Sequence, residues 1–249
     1  MSVTIKSERE IGLMREAGKI LSAVHEELRA IIVPGITTID IDKKARELIK
    51  GYNCIPSFLN YNGYPASVCV SVNNQVVHGI PSKGRVLVDG DIVSLDAGVI
   101  YKGYHSDAAR TWAVGEITEE AEKLIQVTKQ SFFEGIKYAK SGNHLNDISA
   151  AIQTYIESYG FSVVRDLVGH GIGTKLHEDP QIPNFSQRRR GIKLEAGMTF
   201  AIEPMVNAGR PEVYWENDDW TVVTEDRSLS AHYENTILIT DGDPEILSL

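Results

Sequence analysis

Hydrophobic positions recur along this chain with a helical period in some segments and a strand period in others. After Ser7 the apolar residues stand near helical spacing, and Glu10 can complete a capping box with that serine. Helices are predicted at 7–30, 38–50, 118–140 and 144–159. Strands are predicted for the segments SVCVSV, GDIVSLDAGV, DAARTWAV, SVVRDLVG, MTFAIEPMV, WTVVTED and YENTILIT. The order of helices, strands, helices and strands favours an α+β fold.

The two blocks share landmarks at a single offset. Gly142 follows Gly35 by 107 positions, and each of these glycines stands five positions before an Asp-Ile pair. Gly197 follows Gly90 by the same 107 positions, and each stands six positions before an acidic residue in an apolar segment. The common register predicts an internal duplication. Two halves related by a pseudo-two-fold axis would meet along a shared sheet, which is a natural place for a site.

Composition narrows the classes of function. The 249 residues, 42% of them hydrophobic, can build a substantial core. The net charge of −9, from 25 Lys+Arg against 34 Asp+Glu, offers no basic surface for nucleic acid or an anionic membrane. The basic run at 188–190 is predicted to be a solvated loop. We therefore expect no nucleic-acid specificity.

The compartment is predicted from targeting signals and cysteines. The chain has no apolar stretch that approaches a membrane span, and its start lacks the apolar region of a secretory signal. Cys54 and Cys69 are too few for a disulfide framework, and Cys69 is predicted to be a small buried hydrophobe. We expect a cytoplasmic protein without membrane association.

Two aspartates, Asp96 and Asp107, flank a Lys-Gly turn in the predicted hairpin DAGVIYKGYHSDAART. A turn at 101–102 sets the two aspartates directly opposite each other, whereas a turn at 102–103 sets them on the diagonal. Both registers keep the side chains on one face of the hairpin. Facing carboxylates are unfavourable unless a proton or a cation lies between them.

Two further acids stand in apolar surroundings. Glu203 is predicted to lie inside the strand TFAIEPMV, and Glu234 opens the strand ENTILIT. Burial of an isolated carboxylate costs several kcal/mol, so these groups must share a counter-charge. Arg110 and Lys193 could each neutralise one acid, but a metal ion is the better candidate.

The segment VGHGIG adds His170 between glycines. One imidazole with four carboxylates is an oxygen-rich ligand set that suits Mn²⁺, Fe²⁺, Co²⁺ or Zn²⁺. Five such residues can hold two ions about 3.5 to 4 Å apart with a hydroxide between them, which is equipment for hydrolysis.

The order of these five residues, together with HGIP at His78 and LHEDP at His177, resembles the type I methionine aminopeptidases. The resemblance implies the duplicated pita-bread α+β fold, in which helices lie outside a curved antiparallel sheet. It also implies one catalytic domain, 1–249, with halves of roughly 1–110 and 111–249. The 33 positions between His170 and Glu203 leave no room for the insertion of the type II enzymes, and no N-terminal zinc-finger extension is expected, so the pattern resembles the bacterial enzymes.

Site residues follow from the resemblance. The implied metal ligands are Asp96, Asp107, His170, Glu203 and Glu234, and they would hold two divalent ions (Co, Mn, Fe, Zn or Ni). The implied substrate-binding residues are Phe58, Tyr61, Tyr64, Cys69, His78, Leu176, His177 and Trp220. The commonest bacterial pattern has a cysteine at position 58 and an aromatic residue at position 176, so Phe58 and Leu176 depart from it.

The implied reaction is removal of the initiator methionine from nascent polypeptides that have a small second residue. A metal-bridging hydroxide would attack the first peptide bond, with Glu203 as ligand and proton shuttle. His177 would donate to the oxyanion, and His78 would orient the scissile amide. The implied partners are polypeptide N-termini near the ribosome, and the implied state is a monomer. The chain's own Met1 would then be removed to expose Ser2.

Two alternatives remain open. A proline-directed aminopeptidase or dipeptidase of the same fold shares the ligand set, but it usually carries a separate N-terminal domain, which we do not expect in 249 residues. A non-catalytic binding module of this fold would show loss of ligands, and the five positions here are chemically intact.

Overall fold

The computed structural model describes residues 3–249, so the predicted removal of Met1 lies outside the described residues. The helices are α1 (Glu8–Arg29), α2 (Thr38–Gly51), α3 (Glu119–Ile136) and α4 (Leu145–Ser158). The strands are β1 (Ile55–Pro56), β2 (Val68–Val72), β3 (Gln75–Val77), β4 (Ile92–Tyr101), β5 (Tyr104–Ala113), β6 (Ser162–Val163), β7 (Gly169–Gly171), β8 (Glu178–Ile182), β9 (Thr199–Ile202), β10 (Met205–Asn207), β11 (Val213–Trp215), β12 (Val222–Thr224), β13 (Ser230–His232), β14 (Glu234–Leu238) and β15 (Glu245–Ile246).

The predicted helices are present and differ mainly at their ends. The Glu10 carboxylate accepts hydrogen bonds from the backbone N–H of Ser7 at 2.8 Å and from its hydroxyl at 2.7 Å, so the capping box that begins α1 is confirmed. Helix α3 ends four residues earlier than predicted, at Ile136. It ends there because the chain turns to form a bridge between Lys140 and Thr240.

One large antiparallel sheet organises the described residues. Its strands run in the order β1-β4-β5-β14-β9-β7-β8, with β2 beside β4 and β15 beside β14. Strand β14 pairs with β5 on one side and β9 on the other, so it joins the two parts of the sheet. Two smaller sheets, β13-β10-β6 and β11-β12-β3, complete the architecture within residues 3–249.

Two predicted strands are broken in the structure. SVVRDLVG forms only the short β6 before the chain leaves the extended conformation, and β7 begins at Gly169. MTFAIEPMV is split between β9 and β10, which belong to different sheets. The prediction that Glu203 lies inside a strand is therefore wrong. Glu203 occupies the step between the two sheets, where Pro204 has no N–H to continue the ladder.

The predicted duplication is visible in equivalent hydrogen bonds. Gly35 donates its N–H to the carbonyl of Leu87 at 2.8 Å, and Gly142 donates to the carbonyl of Leu194 at 2.9 Å. Donors and acceptors are both 107 positions apart. Helices α2 and α4 also begin 107 positions apart, and each has 14 residues. The repeat therefore governs backbone geometry as well as sequence.

Each half has its own hydrophobic core. In the first, α1 and α2 pack on β2 and β4, with Leu21 and Leu95 fully buried. In the second, α3 and α4 pack on β9 and β14, with Ile148 and Phe200 fully buried. No helix in the described part of the chain has the length and apolar character needed to cross a membrane.

Candidate active site

The register of the β4–β5 hairpin sets the first two acids. The turn consists of residues 102–103, so Asp107 pairs with Gly98 and Asp96 pairs with Ala109. The two aspartates therefore lie on the diagonal, on the same face of the hairpin. Of the two registers considered from the sequence, the one with directly opposed aspartates is wrong and the diagonal one is confirmed.

The five predicted metal ligands come from five consecutive strands of the large sheet. In sheet order they are Asp96 on β4, Asp107 on β5, Glu234 on β14, Glu203 after β9 and His170 on β7. The step from β5 to β14 is where the halves meet. The cluster therefore depends on the pairing of both halves, and neither half alone holds the full set.

Distances bring these side chains together. Ligand atoms of Asp107, His170 and Glu234 all lie within 4.8 Å of one another. Nε2 of His170 is 3.9 Å from Oδ2 of Asp107 and 3.7 Å from Oε1 of Glu203. Asp96 is also buried, and burial together with the carboxyls of Asp107 and Glu203 raises the pKa of its side chain.

Electrostatics show that this cluster lacks a counter-charge. Burial raises the pKa of Asp96, Glu203 and Glu234 well above the usual range, and the neighbouring carboxyls raise it further. Burial raises the pKa of Asp107 to about 7. Oδ1 of Asp96 and Oε1 of Glu234 are buried and have no hydrogen-bond partner among the described residues. Divalent cations would satisfy these oxygens, so the residues present fit the metal ions that the sequence implies.

The two basic residues considered from the sequence do not take this role. The guanidinium of Arg110 donates to the side-chain oxygen of Asn235 at 2.7 Å and to the carbonyl of Ser248 at 3.0 Å. It also donates to the backbone carbonyl of Glu234, away from that residue's carboxylate. Its charge only partly offsets the effect of burial on the pKa of Glu234, and Lys193 is exposed.

Close strand packing explains the glycines beside His170. A Cβ at position 169 would lie 2.4 Å from the carbonyl oxygen of Ala201, and one at position 171 would lie 2.2 Å from that of Asp179. Nδ1 of His170 lies 2.9 Å from the carbonyl oxygen of Gly171 and donates to it. The Nε2 lone pair is then free to face the carboxylates, as in metal-ligating histidines.

A cavity of about 190 Å³ opens onto the carboxylates. It contains each of the metal-ligand and substrate-binding positions predicted above. Its lining residues are Phe58, Tyr61, Asn62, Tyr64, Cys69, His78, Asp96, Asp107, His170, Leu176, His177, Glu203, Trp220 and Glu234. Asn62 is an addition that the sequence did not suggest.

The apolar walls of the cavity are held in place. Tyr64 donates its hydroxyl to the carbonyls of Val68 and Gly79, and its ring meets Trp220 edge to face at 5.1 Å. Phe58, where the commonest pattern has cysteine, is accommodated by Gly98. A Cβ on that glycine would lie 3.0 Å from the phenylalanine ring.

Two histidines stand between the cavity and solvent. His177 is exposed, its ring centroid is 4.2 Å from that of His170, and Oη of Tyr61 is 2.7 Å from its Nδ1. His78 has φ of 57°, a strained conformation for a non-glycine residue, and its ring faces Trp220. Burial, with His177 nearby, lowers the pKa of His78 to about 4.

His232 was missed from the sequence. Its Nε2 is 3.6 Å from Oε2 of Glu203 and 3.9 Å from Oε2 of Glu234. Burial lowers its pKa to about 3. One signal in the sequence could have indicated this residue. His232 stands two residues before Glu234, and residues two apart in an extended chain point to the same face.

The fold and the donor cluster define a metallopeptidase, and comparison with known proteins agrees. The model of metallopeptidase family M24 matches residues 12–241, and the chain belongs to that family. Within the family its similarity is to methionine aminopeptidases. The enzyme of that name from Clostridium acetobutylicum is 57% identical over 247 residues, which are 99% of each chain.

Solved structures agree with the same conclusion. The methionine aminopeptidase of Thermotoga maritima superposes with a TM-score of 0.97 at 47% identity, over 99% of each chain. The Xaa-Pro dipeptidase of Bacillus anthracis superposes with a TM-score of 0.78 at 26% identity, over 98% of this chain and 61% of that one. The family resemblance and the predicted duplicated pita-bread fold are confirmed.

Proposed function

We propose that this protein removes the N-terminal methionine from polypeptides whose second residue is small, by metal-dependent hydrolysis. The observation that carries the proposal is one small cavity that is lined both by apolar rings and by five potential metal ligands from both halves of the fold. The full-length similarity to methionine aminopeptidases supports the same activity.

The metal ligands are Asp96, Asp107, His170, Glu203 and Glu234. This set has the number and kind of donors for two divalent ions among Co, Mn, Fe, Zn and Ni. When bound, such ions polarise a carbonyl and lower the pKa of water towards neutrality.

Glu203 acts as the proton shuttle. Its side chain is 13% exposed, compared with 6% for Asp107 and 2% for Glu234, so among these three it has the freest access to the cavity. It accepts the proton of the attacking water and delivers it to the leaving amine. Its place between two sheets leaves the carboxylate facing the cavity from the end of a strand.

His177 stabilises the oxyanion. Oη of Tyr61 lies 2.7 Å from Nδ1 of His177. In this proposal the phenol donates to Nδ1, so the imidazole proton is on Nε2 and can be donated to substrate. His78 orients the scissile amide. Its pKa of about 4 makes it a neutral hydrogen-bonding group at physiological pH.

The cavity selects for methionine at the first position. The side chain of methionine is long, flexible and apolar, which suits a slot walled by Phe58, Tyr64 and Trp220. The second residue lies against the wall formed by His78 and His177. A large side chain there displaces the peptide bond, and a displacement of about 1 Å can reduce the rate by roughly 10²-fold.

Neither alternative explains the same observations. The likeness to the Bacillus anthracis dipeptidase, at 26% identity, supports the shared fold, whereas the similarity to methionine aminopeptidases reaches 57% identity over 99% of this chain. A non-catalytic binding module would have no need to keep four clustered carboxyls without a counter-charge, since this arrangement is unfavourable without a cation.

The biological setting belongs to the same proposal. The substrates are nascent polypeptide N-termini, met near the ribosome in the cytoplasm, and the active species is a monomeric catalytic domain spanning 1–249. Its halves are roughly 1–110 and 111–249. The net charge of −9 supports recognition of chain ends rather than of nucleic acid.

The test is turnover of short peptides by metal-free protein to which one metal is added at a time. We expect hydrolysis of Met-Ala-Ser with at least one divalent metal, and slow hydrolysis of Met-Leu-Ser. Similar kcat/KM values for the two peptides, or better turnover of a methionine-free Xaa-Pro peptide, would contradict the proposal. Asp107→Asn is the matched control for contaminating peptidases, because it should be inactive with every metal.

A further inference from the structure

His232 occupies a position that none of the proposed roles explains. It is 1% exposed and lies at the end of β13, with Nε2 facing the outer oxygens of Glu203 and Glu234. Neither ring nitrogen has a hydrogen-bond partner among the described residues. A buried ring in this state requires an explanation, since buried polar groups are almost always paired.

Comparison with His170 separates two explanations, namely that His232 is a metal ligand or that it is a hydrogen-bond donor. His170 shows the arrangement expected of a metal ligand, because its Nδ1 donates to the carbonyl of Gly171 and leaves the Nε2 lone pair free. His232 has no such acceptor at Nδ1 in the described part of the chain. The acceptors that it does face are carboxylate oxygens, on the Nε2 side. With cations bound, these carboxylates are ionised and act only as acceptors, which favours the tautomer whose proton is on Nε2. That nitrogen is then a hydrogen-bond donor and cannot ligate a metal.

The backbone holds the ring at this place. The N–H of His232 donates to the hydroxyl of Thr111 at 2.9 Å, and that hydroxyl donates to the carbonyl of His232 at 2.8 Å. His232 also pairs with Met205, two residues beyond Glu203. The backbone that carries the ring is thus fixed from the large sheet and from the segment that follows Glu203.

We propose that His232 is a positioning residue for Glu203, donating from Nε2 to Oε2 of that carboxylate. The two atoms are 3.6 Å apart, slightly beyond hydrogen-bond length, and the terminal torsion of a glutamate side chain has a broad range over which this contact can shorten. His170 lies on the side of Oε1, so His232 holds the carboxylate plane from the other side. This inference rests on the proposed function, in which Glu203 carries the proton.

The first experiment measures the tautomer without any activity assay. Zinc-loaded protein labelled with ¹⁵N-histidine is observed by long-range ¹H–¹⁵N correlation, because the carboxylates are ionised acceptors when a cation is bound, and the His232 signals are assigned from their loss in His232→Gln. We expect the proton on Nε2 in His232 and on Nδ1 in His170. A proton on Nδ1 of His232 would overturn the inference, whatever the enzyme's activity proves to be.

The second experiment separates positioning from metal ligation. His232→Met keeps the bulk and removes the donor, whereas His232→Gln supplies an amide N–H. With Met-Ala-Ser we expect His232→Met to lower kcat roughly 10-fold or more with KM within about twofold, and His232→Gln to recover most of kcat. Calorimetric titration of metal into the apo-proteins should give stoichiometry and affinity close to wild type for both variants.

His25 provides the matched control. It is also a buried histidine, 2% exposed, but its Nε2 hydrogen-bonds the carbonyl of Ala108. His25→Met should alter thermal stability and leave kcat near wild type. Loss of a metal ion from His232→Met would make His232 a ligand, and unchanged kcat in that variant would show that Glu203 needs no support; either result overturns the inference. Absence of wild-type turnover would instead contradict the proposed function, and it would leave the tautomer result standing.

Discussion

The phenol oxygen of Tyr61 lies 2.7 Å from Nδ1 of His177, although the two residues are 116 positions apart in the chain. The two rings also contact each other, with centroids 5.2 Å apart. Burial raises the pKa of Tyr61, so the phenol keeps its proton and can donate it to Nδ1. In the proposed function it does so, which leaves Nε2 of His177 to donate to a substrate.

Tyr61→Phe removes this donor and keeps the ring in the cavity. We expect kcat for Met-Ala-Ser to fall about 5- to 10-fold, the effect of losing one hydrogen bond, while metal affinity stays unchanged. In His177→Ala we expect kcat to fall further, by roughly 10²-fold, because the oxyanion donor itself is lost. The surface variant Tyr155→Phe is the control. Loss of metal from the His177 variant would contradict its assignment and make it a ligand.

Asp96→Asn should abolish activity and weaken metal binding at least 10-fold without lowering the stability of the metal-free protein. The reason is that it removes one of several buried acids that repel each other when no cation is present. Activity is measured with Met-Ala-Ser, metal binding by calorimetry, and stability by the melting temperature after chelation.

Asp91→Asn is the matched control. Asp91 is also buried and directly precedes the strand that carries Asp96, but it accepts hydrogen bonds from Asn73 at 2.7 Å and from Val88 at 3.0 Å. Its replacement should lower the melting temperature by about 3 to 8 °C and leave metal affinity intact. If the melting temperature of metal-free Asp96→Asn is as low as that of Asp91→Asn, the argument that the buried acids repel each other is wrong.

Metal removal should lower the melting temperature more at high pH than at low pH. Burial raises the folded-state pKa of Asp107 from 3.8 to about 7, so the folded protein holds a proton that the unfolded chain has released. The stability contributed by this group is fully present below about pH 4 and is lost as pH rises through about 7. The melting temperature of chelated protein should therefore decline, relative to metal-loaded protein, between pH 5 and pH 8. Melting curves of both forms across this range test the direction of the change. A difference between the two melting temperatures that becomes smaller as pH rises would contradict the prediction.

Leu176 should widen the range of first residues that the cavity accepts. Leucine is smaller than the aromatic residue of the commonest bacterial pattern, and it is buried in the lining at 3% exposure. We expect norleucine to replace methionine well, and a leucine N-terminus to be cleaved slowly but measurably. Leu176→Phe should lower kcat/KM for Leu-Ala-Ser more than for Met-Ala-Ser. Equal losses for the two peptides would place position 176 outside the selective part of the cavity.

Much of the local structure followed from sequence patterns. The capping box of α1, the shared face of Asp96 and Asp107, and the offset of 107 depend on neighbouring residues or fixed periods, and each is present in the structure. The identity of the cavity residues came from family resemblance instead, because their apolar side chains have no period that separates a cavity wall from a core.

The sequence by itself determined which chemical groups the protein brings to its site, because carboxylates placed in apolar strands require a common counter-charge wherever those strands meet. Only the tertiary structure decided how those groups are paired. It directs Arg110 to backbone carbonyls rather than to the carboxylates, and it brings His232 within 3.6 Å of Glu203. These contacts join residues far apart in the chain, so they depend on strand order and on the step between two sheets at Pro204, which no local pattern specifies.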